Sequence, residues 1–591
     1  MILDYPYLSS FLRRHVAAFI IAFCVGLVCV LPHLFQYLDE RDAYHGVSIR
    51  GTDTEEYYLI RIREAYDGHY SVASPELFEY KNAPYIQPAL PELSISFLAR
   101  LFNISVSNAV IVSKFLFPFL LSLIWYRLAF SFTRSRELSL LVPPVVMLVA
   151  QTAFAPGTLA HLLQGRFEAL TAMVDYTRPI NPQFSSPVFF FWLLLWSKWL
   201  QRSDTRVLLF AGACLLGTMI YIYPYAWMLG MGIAGLTFLI TLVPRFRALA
   251  APPRLVFLYT SIALFVTVPY WLNYYHAFTH PAYTILQQRY GFYTSHAPLW
   301  SDVLFIGFVL TVILFWRKTK DASFLILVTY LLSLFLLTNQ QVITGFRFYP
   351  GHWHWYYTTP LVLFLCTWAL YIMLRQWRLV RTLLFVCLLA ASFTIGVAKQ
   401  TMAYEKLRAS AAAEQRFAPV LQWISSHTYR DDVIMSNGIL NELIPIYTSA
   451  NAYFSRWGEF YLIPHERFRD RMYARLYLDG ADASNIDSFV TQDRKDVYEY
   501  LFGRYQLRTG ACGDGCFAPA DLARVQQDYL LWHRSASFVT FLSQYRLDYA
   551  VWDTQSDPLW NLDQYDYFKF ITEIEGVRIY RFDPHNSGSI T

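Results

Sequence analysis

Long apolar segments recur through the first 400 residues, and they constrain the fold more than any other feature. The first, "VAAFIIAFCVGLVCVLPHLFQYL" at 16–38, follows Arg13 and Arg14. It is too long for the apolar part of a signal peptide, and no A-x-A-like cleavage site follows it, so we expect an uncleaved transmembrane helix. Ten further runs approach the roughly 17–25 residues that span a bilayer: 108–130, 138–153, 186–200, 206–224, 226–244, 254–273, 300–316, 322–338, 356–374 and 380–398. The sequence therefore predicts about 11 transmembrane helices.

The composition agrees with this prediction. Hydrophobic residues make up 55% of the chain and charged residues only 15%, whereas soluble domains carry about 25% charged residues. The net charge of +5 is small for 591 residues, and no Lys/Arg-rich run indicates nucleic-acid binding.

The basic residues predict the orientation of the helices. Every second connection is short and basic, and these five connections contain Arg134 and Arg136; Lys198, Arg202 and Arg206; Arg245, Arg247 and Arg254; Arg317, Lys318 and Lys320; and Arg375, Arg378 and Arg381. The longer loops 39–107, 154–185, 274–299 and 339–355 are aromatic and mixed in charge. Because basic loops stay in the cytoplasm, we expect a plasma (inner) membrane protein with a cytoplasmic N-terminus and exoplasmic long loops.

One apolar segment, 86–103, is excluded from the count of spans. It contains two prolines and Glu92, and counting it as a span would place all the basic connections outside. We therefore expect it to form a helix that lies along the outer membrane surface.

The composition changes near residue 400, where charges become frequent and apolar runs shorten. "FAPVLQWISSHT" and "ERFRDRMYARLYLDG" have the pattern of helices, whereas "DDVIMSN", "YRLDYAVWD" and "GVRIYRFDP" have the pattern of strands. The sequence thus predicts a transmembrane domain over 1–399 and a soluble exoplasmic α/β domain over 400–591. Cys512 and Cys516, in the Gly-rich stretch "ACGDGCFAP", favour a local disulfide on the oxidising side.

The first outer loop carries a group of carboxylates in "RGTDTEEYYLIRIREAYDGHY" at 50–70, namely Asp53, Glu55 and Glu56. Glu55 follows Thr52 by three residues, which is the spacing of a capping box. A carboxylate at the mouth of a membrane cavity can act as a general base or bind a divalent cation. The alternative is that these acids only cap a surface helix and favour its dipole.

Further ionisable residues occupy the other outer loops and one span. The second outer loop carries Glu168 and Asp175, later loops carry Arg289, Arg347, His352 and His354, and Lys114 lies inside the second predicted span. Arginine and histidine can bind phosphate, although the two histidines could equally pack at the interface. An intramembrane lysine can hold a lipid phosphate, or its long stem can extend to the surface.

This order of features resembles the GT-C superfamily of membrane glycosyltransferases, with a distant resemblance to the oligosaccharyltransferase and protein mannosyltransferase group. An acidic segment follows the first span, then a surface helix, "PALPELSISFLARLF", and a spanning helix with a basic turn. A second acidic outer loop and a soluble domain after the last span complete the pattern. No W-W-D-Y-G-like motif of the oligosaccharyltransferases occurs in the tail, where "SRWGEFY" at 455–461 is only a distant match.

The resemblance implies a function and a set of site residues. It implies transfer of a sugar from a polyprenyl-phosphate donor to a glycan, lipid or protein acceptor, with inversion at the anomeric carbon. Asp53 would be the general base or a metal ligand, with Glu55 or Glu56 as substitutes, and Lys114, Arg289 and Arg347 would bind the donor phosphate. In metal-dependent members a divalent cation, Mg or Mn, would be held by Asp53, Glu168 and Asp175.

Two alternatives to an enzyme stay open at this point. The chain could be a transporter or lipid flippase, or a non-catalytic scaffold for surface polysaccharide assembly. Transporters usually place ionisable residues near the membrane midplane, whereas the charges here concentrate in the outer loops. That distribution favours the enzyme.

Overall fold

The first apolar segment and the others predicted to span the membrane are helical in the structure. It is a computed structural model that describes residues 5–201, 205–244, 251–289, 295–316, 322–492, 519–535 and 537–586. The helices at the predicted spans are Tyr5–Glu40, Val106–Thr133, Arg136–Leu148, Ser185–Gln201, Arg206–Thr218, Pro224–Leu242, Pro253–Val266, Val268–Phe278, Asp302–Phe315, Ala322–Thr338, Thr359–Met373 and Arg378–Glu414.

Some of these helices, but not all, are long and apolar enough to cross a membrane completely. Among the described residues six helices are long and apolar enough, or seven if Pro253–Val266 and Val268–Phe278, bent by 50°, form one span. The remaining predicted spans are helices of 13–17 residues. An integral membrane protein is supported, whereas the number 11 is not confirmed.

Aromatic side chains fill the centre of the helical part. On the Ser185–Gln201 helix, Trp192 and Trp196 stack at 5.8 Å between ring centroids, and both are fully buried. Tyr259 lies edge-on to Trp196 and accepts a hydrogen bond from Trp192 Nε1 at 2.9 Å. A Cβ atom on Gly212 would lie 2.4 Å from the Tyr259 hydroxyl, so a glycine is needed where these helices approach closely.

The long loops gather at one end of the helical part. They form short helices there, which are Glu55–Tyr66, Leu90–Leu101, Ala150–Ala153, Pro156–Leu163, Tyr283–Arg289, Gln341–Thr344 and Gly351–Trp353. The expected surface helix within 86–103 is Leu90–Leu101. It buries Glu92 and Ile95 against the protein and exposes Phe97 and Leu101, as an amphipathic helix at a membrane surface would.

The tail forms a small α/β unit around a five-stranded sheet of order β2-β1-β3-β5-β4. The strands are β1 Val433–Ser436, β2 Asn451–Ala452, β3 Tyr549–Asp553, β4 Phe568–Ile574 and β5 Val577–Phe582. β1 pairs in parallel with β2 and β3, whereas β5 pairs antiparallel with β3 and β4. Adjacent residues of β1, Val433 and Ile434, belong to different apolar clusters, so both faces of the sheet are covered.

Helices cover the sheet, and one of them continues from the helical part. The tail helices are Ala418–His427, Leu440–Tyr447, His465–Leu478, Ile486–Gln492, Pro519–Ser535 and Phe538–Leu542. The boundary predicted at 399/400 falls inside the single helix Arg378–Glu414. The tail also contacts the first loop, since the Ser48 amide donates to Tyr447 Oη at 2.9 Å and Ala452 N donates to Glu76 O at 3.0 Å.

Several predictions fall outside the described residues. These are the disulfide between Cys512 and Cys516 and the basic residues Arg202, Arg245, Arg247, Arg317, Lys318 and Lys320.

Candidate functional site

The carboxylates of the first outer loop have very different surroundings. Asp53 is exposed, on the turn that precedes the Glu55–Tyr66 helix, whereas Glu55 is buried and Glu56 is partly buried. Thr54, between them, has a positive φ of 55°, which turns the chain sharply into the helix. Because their exposure to solvent differs so much, the three carboxylates cannot share one role.

Glu55 fixes the backbone of this turn. Its Oε2 accepts hydrogen bonds from Gly51 N at 3.1 Å, Thr52 N at 3.0 Å and Thr52 Oγ1 at 2.8 Å. A capping box consists of two reciprocal hydrogen bonds, and the bond from Thr52 N to the Glu55 side chain is one of the two that the spacing predicts. A Cβ atom on Gly51 would lie 2.3 Å from Leu407 Cδ1, so glycine lets the turn lie directly against the Arg378–Glu414 helix.

Lys114 is the partner of Glu55. Its ammonium group donates to Glu55 Oε1 and lies 2.9 Å from His33 Nε2, and the side chains of Lys114 and Glu55 are 0% and 2% exposed. A buried lysine paired in this way is held away from a ligand that approaches from solvent. The structure thus places Lys114 in the support of the turn, and it places Glu55 away from the reacting position expected of a base.

Arg178 occupies the position beside Asp53. Its Nη2 donates to Thr54 Oγ1 at 2.7 Å, its Nη1 donates to Tyr356 Oη at 2.6 Å, and its guanidinium lies 5.4 Å from the Tyr58 ring centroid. Its Nε is buried and makes no hydrogen bond within the structure. Burial lowers the pKa of Arg178, but Tyr356, Tyr58 and Asp53 more than compensate and raise it above its ordinary value. Arg178 is a fixed cation with an unused donor.

The segment that carries Arg178 is anchored to two helices. Gln400, fully buried on Arg378–Glu414, accepts from Val174 N at 3.2 Å and donates to Thr177 Oγ1 at 2.8 Å and to Cys29 O at 3.1 Å. Thr177 Oγ1 in turn donates to Cys29 O at 3.2 Å. These bonds hold the backbone just before Arg178 against the first helix, so the guanidinium keeps a defined position.

Aromatic side chains from two other loops line the same region. Tyr223 Oη hydrogen-bonds His352 Nδ1, and the His352 ring lies 4.6 Å from Tyr225 and 5.8 Å from Tyr356 between centroids. Tyr356 connects this group to Arg178. Arg347 is partly buried on the strand-like segment five residues before His352. His354 instead contacts Trp355, at 4.6 Å between centroids.

Glu56 lies on the tail-facing side of the turn. Its Oε1 is 3.8 Å from Arg50 Nε, and Arg50 also donates to Glu414 at 2.6 Å. Burial, followed by the nearby Glu442 carboxylate, raises the pKa of Glu56 to about 7. Glu56 can therefore exchange a proton near neutral pH.

The other predicted site residues are held elsewhere. Arg289 is 2% exposed, packs on Phe468 and donates to Ile463 O at 3.4 Å, so it belongs to the contact between its loop and the tail. Asp175 accepts from Gln151, and burial raises its pKa to about 6 despite Lys399 and Arg178 nearby. Glu168 is exposed on a short turn. Lys114 and Arg289, two of the three cations expected to bind the donor phosphate, are therefore held in separate contacts.

The residues expected to bind a metal do not fit that role. The Asp175 carboxylate accepts a hydrogen bond from the Gln151 side-chain amide and lies near the cations Lys399 and Arg178. Glu168 lies at the surface. Over the described part of the chain, no group of three or more His, Cys, Asp and Glu side chains is placed to hold a metal ion.

Comparison with known proteins finds similarity only among solved structures. No protein-family model and no curated protein matches the chain. Two structures of ArnT from Cupriavidus metallidurans, one in the apo state and one bound to undecaprenyl phosphate, are similar at 12% identity and a TM-score of 0.42. The similarity covers 94% and 95% of this chain and 98% of each of those chains.

Proposed function

We propose that this chain is a membrane glycosyltransferase that moves a sugar from a polyprenyl-phosphate donor to an acceptor on the exoplasmic side. One observation carries the proposal: an exposed carboxylate, Asp53, lies beside a partly buried and anchored guanidinium, Arg178, at the end of the helical part. The sequence resemblance to GT-C enzymes supports the same assignment for Asp53.

The two groups suit the two halves of a direct displacement. Asp53 would take the proton of the acceptor hydroxyl while the acceptor oxygen bonds to the anomeric carbon. The bond from that carbon to the donor phosphate breaks as the new bond forms, with inversion, and the phosphate leaves with the electron pair. Arg178 would stabilise the growing phosphate charge through the positive charge of its anchored guanidinium, and Arg347 is the second candidate cation.

Burial and anchoring make Arg178 effective in this role. A guanidinium that is already fixed needs no reorganisation as charge develops, and it acts in surroundings from which much of the water is excluded. Tyr356 and Thr54, which accept hydrogen bonds from Nη1 and Nη2, hold the planar group in one orientation. Proton transfer to Asp53 would contribute about 10²–10⁴-fold to the rate.

The orientation and partners follow the same proposal. The N-terminus would be cytoplasmic, and the loops and tail would face the exoplasm, where the lipid-linked donor would meet a glycan, lipid or protein acceptor. Glu56, whose pKa is raised to about 7, is the alternative base.

The test measures release of free polyprenyl phosphate from a panel of labelled polyprenyl-phosphate sugars, with a membrane extract as acceptor. Release by the purified wild-type chain with at least one donor is expected. Arg178→Lys should reduce the rate at least tenfold, because lysine loses the planar set of donors. Arg166→Lys, the same change at an exposed position of the same loop, should leave it unchanged. No release with any donor, or equal loss in both variants, would refute the proposal.

A further inference from the structure

A cavity of about 650 Å³ lies in the tail, separate from the residues of the candidate site. It is formed by the His465–Leu478 helix, the Pro519–Ser535 helix and the Phe538–Leu542 helix with its flanks. Its volume falls within the ~300–1,000 Å³ typical of small-molecule pockets. The proposed transfer reaction makes no use of it.

Helical spacing directs a mixed set of side chains into this cavity. On the Pro519–Ser535 helix, Asp528, Leu531, Trp532 and Ser535 follow one another at i, i+3, i+4 and i+7, which places them on one face. The stretch from Ser537 to Gln544 repeats this spacing through Thr540 and Phe541. The polar residues at the rim are exposed, namely Asp528, Ser535, Ser537, Thr540 and Gln544.

The wall of the cavity is aromatic. Trp532, partly exposed, lies 5.6 Å from Tyr473 and 4.4 Å from Phe541 between ring centroids. Tyr473 and Phe541 are only 4% and 3% exposed, so they form a fixed base for the indole. The Trp532 Nε1–H is buried and makes no hydrogen bond within the structure, which leaves one donor unused.

An ion pair lies next to the aromatic wall, since the Arg469 guanidinium is 5.9 Å from the centroid of the Tyr473 ring. Arg469 donates to Asp470 Oδ1 through Nε at 3.1 Å and Nη2 at 2.8 Å, and Tyr545 Oη donates to Asp470 Oδ2 at 2.9 Å. The Arg469 side chain remains 43% exposed, so part of the guanidinium faces solvent. With Asp528 the lining carries two carboxylates and one guanidinium, a net negative charge.

We propose that this cavity binds an uncharged saccharide chain. A pyranose ring has one face of C–H groups, which packs on an aromatic ring, and an edge of hydroxyls, which needs closely spaced donors and acceptors. Trp532 supplies the ring, while Asp528, Thr540 and Gln544 supply the polar partners. The net negative charge disfavours sugars that carry phosphate or carboxylate. The proposal goes beyond the transfer reaction, since binding here requires neither donor nor Asp53.

The test is saturation-transfer NMR on the purified full chain with maltotriose, cellotriose and mannotriose as uncharged probes and sialyllactose as the charged probe. At least one uncharged trisaccharide should bind. Gln544→Ala and Asp528→Asn, at exposed positions that leave the aromatic wall intact, should each weaken binding several-fold, and Trp532→Ala should abolish it. Trp377→Ala, at an exposed tryptophan outside the cavity, should have no effect.

Three results would overturn the proposal: no uncharged trisaccharide binds, sialyllactose binds most tightly, or Gln544→Ala and Asp528→Asn bind as the wild type does. Arg178→Lys separates this proposal from the one on transfer, because that variant should lose transfer but bind the trisaccharides normally. If the wild-type chain transfers sugar but binds none of the three uncharged trisaccharides, the proposal of saccharide binding in the cavity is refuted and the proposal on transfer is not.

Discussion

Replacing Lys114 with methionine tests whether this lysine supports the Asp53 turn or binds the donor. Lys114 and Glu55 are 0% and 2% exposed, and Glu55 also accepts three hydrogen bonds from Gly51 and Thr52. Lys114→Met leaves the Glu55 charge buried without its cation. Removing one partner of a buried ion pair costs about 3–5 kcal/mol, a large share of the ~5–15 kcal/mol that stabilises a folded domain.

The double variant Glu55→Gln/Lys114→Met separates the two roles. Glutamine keeps a carbonyl oxygen for the Gly51 and Thr52 donors and carries no charge, so the unpaired carboxylate is gone. We expect Lys114→Met to lower the melting temperature and the transfer rate together, and the double variant to recover most of both. The melting temperature is measured in detergent by intrinsic fluorescence, and the rate by polyprenyl phosphate release.

The refuting result follows from the donor-binding role. If Lys114 held the donor phosphate, Lys114→Met would melt close to the wild-type temperature but show a raised KM for the donor. The double variant would then be no more active than Lys114→Met. That combination would refute the supporting role assigned to the buried pair.

Three further predictions concern the same end of the molecule. Burial raises the pKa of Glu56 from 4.5 to about 7, so the folded state favours the protonated carboxyl. The stability that this group contributes is therefore complete below pH 4.5 and is lost as the pH rises toward 7. The loss in the free energy of unfolding amounts to up to about 3 kcal/mol. The melting temperature of the wild type should therefore fall between pH 5 and 8 more than that of Glu56→Gln, and equal slopes would contradict this. Arg61→Met should destabilise by about 3–5 kcal/mol, because Arg61 pairs with Glu92 at 2.6 Å and both side chains are 0% exposed; a melting temperature within a degree of the wild type would be inconsistent with that pair. Gly51→Ala should reduce transfer more than stability, since its Cβ would lie 2.3 Å from Leu407 Cδ1 and the turn that carries Asp53 must move; unchanged kcat would argue against this.

Local patterns in the sequence predicted most of the elements. The spacing of Thr52 and Glu55 predicted a capping box, and the bond from Thr52 N to Glu55 confirms that half of it. The N-cap residue is nevertheless Thr54, and the helix begins at Glu55. "DDVIMSN", "YRLDYAVWD" and "GVRIYRFDP" correspond to β1, β3 and β5. β2, with two residues, is too short to give a periodic signal, and β4, in which only Phe568 is buried, was not predicted.

The composition of the site was harder to predict because its contacts join distant parts of the chain. Arg178 contacts Thr54 and Tyr356, which lie 124 and 178 residues away, and no local spacing records such a pair. Lys114 lies inside a predicted span, where an unpaired charge is costly, so a buried carboxylate partner is needed there. Glu55 was that partner.

The most direct measurement of the central claim is the initial rate of polyprenyl phosphate release by Asp53→Asn. Asp42→Asn, the same change at an exposed position earlier in the same loop, is the matched control, and equal melting temperatures establish that both variants fold. The account predicts that Asp53→Asn loses about 10²-fold or more of the rate, the contribution expected of a general base, while Asp42→Asn retains it. Wild-type rates in both variants would show that Asp53 is not the base.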